Sequence, residues 1–114
     1  MTLGEKQRAF VRAVGAFLEA TKSLPRSVEF TFGDVSARDG HRPESCHYIH
    51  LAMDLNLFIN GVYITTYEQA PDIWDALGRL WKETHPLARW GGDFRGGPHD
   101  PDLDHFSFEH LGRK

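Results

Sequence analysis

Residues 51–58 read Leu-Ala-Met-Asp-Leu-Asn-Leu-Phe, and Asn60-Gly61 follows after a single isoleucine. Successive side chains on a strand point to opposite faces, so Leu51, Met53, Leu55 and Leu57 share one face. Ala52, Asp54, Asn56 and Phe58 share the other. The first face is core; the second presents a carboxylate and an amide. Asn-Gly suits a type I′ turn, in which both central residues need φ > 0. This stretch commits the chain to an antiparallel hairpin, with residues 62–65 as the returning strand.

Helical periods flank the hairpin. Phe10, Val14, Phe17 and Leu18, with Val11 widening the stripe, predict a helix over residues 3–21. Thr2 and Glu5 have the spacing of a capping box, and Ser23-Leu24-Pro25 ends the helix. Residues 28–32 alternate as a strand running toward Arg38. A polar loop over 39–45 then delivers the chain to Cys46-His47. Ile73, Trp74, Leu77, Leu80 and Trp81 form the stripe of a second helix over 68–83, with Pro71 in its first turn and Gly78 as a weak point. Residues 91–101 are rich in glycine and proline and read as an irregular loop. Residues 105–110 alternate again, with Phe106 and Phe108 inward and His105, Ser107 and Glu109 on the opposite face. This order predicts one α+β domain over residues 1–114, an antiparallel sheet with helices packed on one side.

The 114 residues leave room for a single domain. Thirteen basic against sixteen acidic residues give a formal charge of -3, which argues against a nucleic-acid partner bound through a broad basic surface. Apolar runs of only a few residues argue against stable membrane insertion. The charged start, with Glu5, Lys6, Arg8 and Arg12, does not read as a signal peptide and implies a cytoplasmic location. A lone cysteine, Cys46, excludes an internal disulfide framework.

All seven histidines fall between His41 and His110. A catalytic zinc needs three protein ligands, an open position for water, and a further carboxylate to take and return a proton. His47, Asp54, Asp102 and His105 offer such a set. Asp54 lies on the polar face of its strand, and Asp102 precedes His105 by three positions. From composition alone, His47 and His105 can also be hydrogen-bonded surface histidines, with Asp54 a turn-facing acid.

The run Ser45-Cys46-His47-Tyr48-Ile49-His50-Leu51-Ala52-Met53-Asp54 resembles the Ser-x-His-x-x-Gly-x-Ala-x-Asp signature of the zinc D-Ala-D-Ala peptidases. That group includes D,D-carboxypeptidases, D,D-dipeptidases and phage L-alanyl-D-glutamate endopeptidases, and its fold is shared with the hedgehog signalling domain. Trp90-Gly91-Gly92-Asp93-Phe94 resembles the Trp-Gly-Gly segment of phage members. Asp102-Leu103-Asp104-His105 resembles their acidic-x-x-His ending. The resemblance covers roughly residues 30–110. It implies one zinc ion held by His47, Asp54 and His105, with Asp102 as general base and then general acid. Arg38 would stabilise the developing oxyanion or bind a substrate carboxylate. The mechanism implied is direct attack of water on a peptide carbonyl, without a covalent intermediate.

Two departures stand out. His50 occupies the usual glycine position, where a positive φ or close backbone approach is normally needed. It reads as a tolerated replacement, a substrate donor or a neighbour of the ligands. The acid is Asp102 rather than glutamate, and Asp104 competes for its role. Other candidates are Ser45, Asn56 and Trp90 as substrate contacts, although Ser45 equally reads as a loop cap, Asn56 as solvated, and Trp90, with Trp74 and Trp81, mainly as core. Cys46 reads as a small buried residue or a lone metal ligand. His41, His85 and His99 read as solvated, and His110 alternates away from His105.

The resemblance implies a zinc peptidase acting on peptidoglycan stem peptides, either a D,D-carboxypeptidase or an L-Ala–D-Glu endopeptidase. It would be a phage or prophage lysis enzyme, monomeric, cytosolic until a separate holin releases it to the wall. It would act without a cell-wall-binding domain of its own. A non-catalytic zinc-binding module that recognises wall peptide or a protein partner is the alternative. A metal-dependent nuclease is a distant third, because the basic surface for DNA is missing.

Overall fold

Thr2 opens the first helix as its capping box requires. Its hydroxyl accepts from Glu5 N–H at 3.1 Å, and the Glu5 carboxylate accepts from Thr2 N–H at 3.0 Å. Helix α1 covers Leu3–Thr21 and buries Phe10, Ala13 and Phe17. Val14 and Leu18 pack partly against the core, whereas Val11 lies outside the stripe and stays exposed. The structure, a computed structural model, describes residues 1–33, 46–94 and 101–113.

Five strands form one antiparallel sheet. They are β1 (Val28–Phe32), β2 (Ala52–Ile59), β3 (Val62–Ile64), β4 (Ala88–Trp90) and β5 (His105–Phe108). The order is β1-β2-β5-β4, with β3 also paired to β2. Asn60 and Gly61 have φ of 50° and 79°, the left-handed values that the β2–β3 turn needs. Ile59 and Val62 close that hairpin. β4 is only three residues long, too short for an alternation to show in sequence.

The second helix begins later than its stripe suggests. Tyr67–Gln69 form a 3₁₀ turn, Ala70 has φ −159° and ψ 66°, and α2 then runs over Pro71–Thr84. Proline disfavours the helical conformation in the residue before it, so the helix restarts at Pro71. The expected strands are likewise trimmed: the last one ends at Phe108. His110 instead bridges to Arg113 around Leu111-Gly112, both at positive φ.

Both helices lie on one face of the sheet. Phe17 of α1 meets Phe30, Phe106 and Trp81, with ring centroids 5.2–6.2 Å apart. Trp81 of α2 also donates its indole N–H to Arg89 O at 3.0 Å. The opposite face is not simply solvent. Ala52 and Ser107 are buried there, beside the 3₁₀ turn Cys46–Ile49 that packs against β2. Cys46 donates its Sγ–H to Phe108 O at 3.2 Å and ties the turn to β5. Among the described residues no helix is long and apolar enough to cross a membrane.

His50 follows that turn with φ 55°, exposed. The position does require the left-handed conformation that favours glycine, and histidine adopts it at a steric cost. His50→Gly is therefore expected to stabilise the fold by up to about 1 kcal/mol, read from urea unfolding midpoints. A loss of stability would mean that the imidazole makes a stabilising contact.

Candidate metal centre

Strand register brings the first two groups together. Leu55 N–H donates to Asp104 O at 2.8 Å and Phe108 N–H donates to Leu51 O at 2.9 Å. Alternation makes Asp54↔His105, which lies between them, a non-hydrogen-bonded pair. Such pairs hold their Cα atoms about 4.5 Å apart, with both side chains on one face. His105 Nδ1 accordingly lies 3.5 Å from Asp54 Oδ1. This is the sheet face turned away from both helices.

A turn adds the third group. His105 N–H donates to Asp102 O at 3.1 Å, and Asp102 N–H donates to Gly91 O at 2.9 Å. A Cβ on Gly91 would overlap the Asp102 carbonyl and stand 2.8 Å from His105 Cβ, so only glycine fits. The turn places Asp102 Oδ2 3.9 Å from His105 Nδ1. Trp90 holds the turn from the core side. Its ring lies against Gly78 of α2 and Gly92, and its indole N–H donates to Leu103 O at 2.8 Å. Trp90 is thus buried and positions the loop, which agrees with its core reading and not with the substrate contact offered beside it. Gly78, a weak point by propensity, is the space that its ring occupies.

Asp54, Asp102 and His105 therefore form a group whose ligand atoms all lie within 4.8 Å of one another. Four-coordinate zinc with bonds of about 2.0–2.2 Å spaces neighbouring ligand atoms about 3.3–3.6 Å apart. The 3.5 Å separation of Asp54 and His105 matches that spacing, and the Asp102 carboxylate stands slightly farther off. One imidazole nitrogen and two carboxylates are donors that a divalent transition metal accepts. His105 is buried, Asp54 half-buried, and Asp102 the most open of the three. The Phe94 ring lies 5.3 Å from that of His105, an apolar contact that reduces water access to the imidazole. The sequence assigns Phe94 no role, because an aromatic in a glycine-rich stretch has no readable direction.

Burial pushes the Asp102 carboxyl up to about 7. Its hydrogen bond with Asp104 and the nearby Asp104 and Asp54 carboxylates push the same way, while His105 opposes them. Asp104, read from sequence as a competitor of Asp102, is instead its hydrogen-bonding partner.

The remaining expectations fall unevenly. His47 lies in the 3₁₀ turn Cys46–Ile49, directly before β2, and its side chain is outside the described residues. Arg38, Ser45, His41 and His99 lie outside them altogether. Gly33 N–H donates to Asp54 O at 2.8 Å, so the last described residue after β1 lies beside Asp54. Asn56 shares the face of Asp54, but its amide donates to Thr31 Oγ1 at 3.2 Å and accepts from Tyr63 OH at 3.4 Å. Cys46 is buried with its Sγ–H on Phe108 O, burial raises its thiol to about 11, and it does not join the Asp54, Asp102 and His105 group. His85 is not simply solvated: its ring stacks on Phe108 at 4.7 Å. His110 Nδ1 lies 3.0 Å from Lys6 Nζ, away from the centre.

No family model matches this chain, and neither a curated protein nor a solved structure matches it.

Two outcomes are expected. Gly91→Ala should displace the Asp102–His105 turn and weaken the affinity of the group for an added divalent metal ion by about tenfold or more, measured by competition with a chromogenic chelator. In the metal-free protein, the folded state holds the Asp102 proton more tightly than the unfolded chain, whose value is near 3.8. That contribution to stability is complete below pH 4 and is lost as pH rises through about 7. Melting curves of wild type and Asp102→Asn should therefore show the steeper decline between pH 4 and 8 in the wild type.

Proposed function

We propose that this protein is a zinc-dependent peptidase that hydrolyses peptidoglycan stem peptides, as a D,D-carboxypeptidase or an L-Ala–D-Glu endopeptidase. The observation that carries this reading is the grouping of Asp54, Asp102 and His105, residues to which the motif resemblance assigns two ligands and the general base. The phage or prophage lysis role, with a holin to release the enzyme, rests on that resemblance alone.

Asp54 and His105 would hold the zinc, with His47 as the third ligand. Bound zinc acts as a Lewis acid and lowers the pKa of its water toward neutrality. In the metal-free protein burial pushes the Asp102 carboxyl up to about 7, well above the usual carboxylate range, and a carboxyl so placed can take a proton and return it. Its oxygen lies 3.9 Å from His105 Nδ1, close to the ligands yet on the more open side. That position lets it reach the attacking water and then the leaving amine. Asp104 fixes the orientation of Asp102 through their hydrogen bond. Arg38 is, on the motif resemblance alone, the proposed partner of the oxyanion or of a substrate carboxylate.

The test incubates purified protein with cell walls, with and without a chelator, and follows turbidity and new amino termini. Clearing is expected only with metal. Asp102→Ala should slow it about 10²–10⁴-fold, the usual worth of a general acid–base group. Clearing that survives zinc removal or the Asp102→Ala change overturns the mechanism. Zinc-dependent retention on walls without new termini replaces the enzyme with a binding module. Mass spectrometry of the released muropeptides names the bond.

A further inference from the structure

The turn that carries His47 ends in a strained residue. Leu51 N–H donates to Cys46 O at 2.9 Å across the left-handed His50, whose φ is 55°. That bond and that conformation are those of a Schellman motif, which closes a helical turn on a residue that is usually glycine. Cys46 and Leu51, the two residues the bond joins, are both buried, which is the apolar contact that accompanies the motif. Histidine at the left-handed position carries a steric penalty that glycine would not.

A contact from the first helix opposes release of that strain. Ile49 O ends the turn, and the last carbonyls of a helical turn have no donor within it. It accepts from the side-chain amide of Gln7 on α1 at 2.9 Å, a half-buried bond between residues 42 apart in sequence. The 49–50 peptide is a rigid plane, so the Ile49 carbonyl and the His50 N–H turn together. Rotating that plane is the shortest path by which His50 would reach negative φ, and the Gln7 bond resists it. A hydrogen bond to a half-buried carbonyl and the left-handed penalty of a side chain are of the same order, so the bond is large enough to decide the outcome. Cys46 fixes the other end of the turn through its Sγ–H on Phe108 O. Position 47 lies between the two ties.

We infer that Gln7 is a positioning residue, which pins the 49–50 peptide and so holds the His47-bearing turn in its strained, glycine-type conformation. Phe10 and Phe17 anchor α1 in the core, and Gln7 carries that rigidity to the turn. On the proposed ligand set, on which this last step rests, Gln7 acts on the metal through the backbone that presents His47. The amide is needed because position 50 is histidine; with glycine there, the turn would keep its shape unaided.

The test compares wild type, Gln7→Met, His50→Gly and the double variant. Methionine keeps the length and helix propensity of the side chain but donates no hydrogen bond. In metal-free protein, amide exchange at Leu51 reports whether its bond to Cys46 O is kept. Gln7→Met should speed that exchange by about tenfold, and adding His50→Gly should return it to within about twofold of wild type. Unchanged exchange in Gln7→Met overturns the inference. So does a loss that His50→Gly fails to restore, because a bond that only docks α1 would matter equally with either residue at position 50. Zinc affinity of the same four proteins, read by chelator competition, should fall about tenfold in Gln7→Met alone. If Leu51 exchange follows the expected pattern while all four proteins bind zinc equally, the peptide clamp stands and His47 leaves the ligand set. Gln7→Glu, whose carboxylate has no proton to donate at neutral pH, serves in place of Gln7→Met if that variant does not fold.

Discussion

The candidate site depends on the register between β2 and β5. Asp54 faces His105 because the two strands pair with Leu55 opposite Asp104 and Leu51 opposite Phe108. A slip of one residue would turn Asp54 toward the helices and send Leu55 to the open face. Burial makes that slip costly: Leu51, Met53, Leu55 and Leu57 are all buried on the helix side. The same packing that stabilises the sheet therefore aims the carboxylate at the imidazole. Phe106 and Phe108 do the same for β5, since their contacts with α1 and α2 fix which way His105 points.

A second constraint sets the height of Asp102. The 102–105 turn rests on Gly91, where no side chain fits, and on Trp90, which reaches from the core to the Leu103 carbonyl. Trp90 in turn needs the bare surface of Gly78 on α2. A chain of close contacts thus runs from the second helix to the proposed general base. It explains why glycines recur at positions 78, 91 and 92, where helix propensity or loop flexibility alone would give no reason for them.

Three carboxylates and an imidazole in one small volume repel and attract at once. Without a cation, burial first and the Asp104 and Asp54 carboxylates after it push the Asp102 carboxyl up to about 7. A divalent ion would replace the proton on that carboxyl and relieve the repulsion among Asp54, Asp102 and Asp104.

The sequence by itself determined the elements built on local rules. Helix α1 and its cap, β1, the Asn60-Gly61 turn and the faces of β2 follow from periodicity, capping and left-handed turn chemistry. It also marked Asp54, Asp102 and His105, because the motif spacing that carries the resemblance is linear. What it left open depends on contacts between distant segments. Whether Trp90 faces substrate or core turned on a glycine twelve residues earlier. Whether Asp104 competes with Asp102 or bonds to it turned on the path of a turn held by Gly91. The cleft between β3 and the 101–104 turn, floored by Ile64 and Trp74, has no local signature at all, since it joins segments far apart in the chain. Local preference acts over a few neighbouring residues, and these arrangements join residues that only tertiary packing brings together.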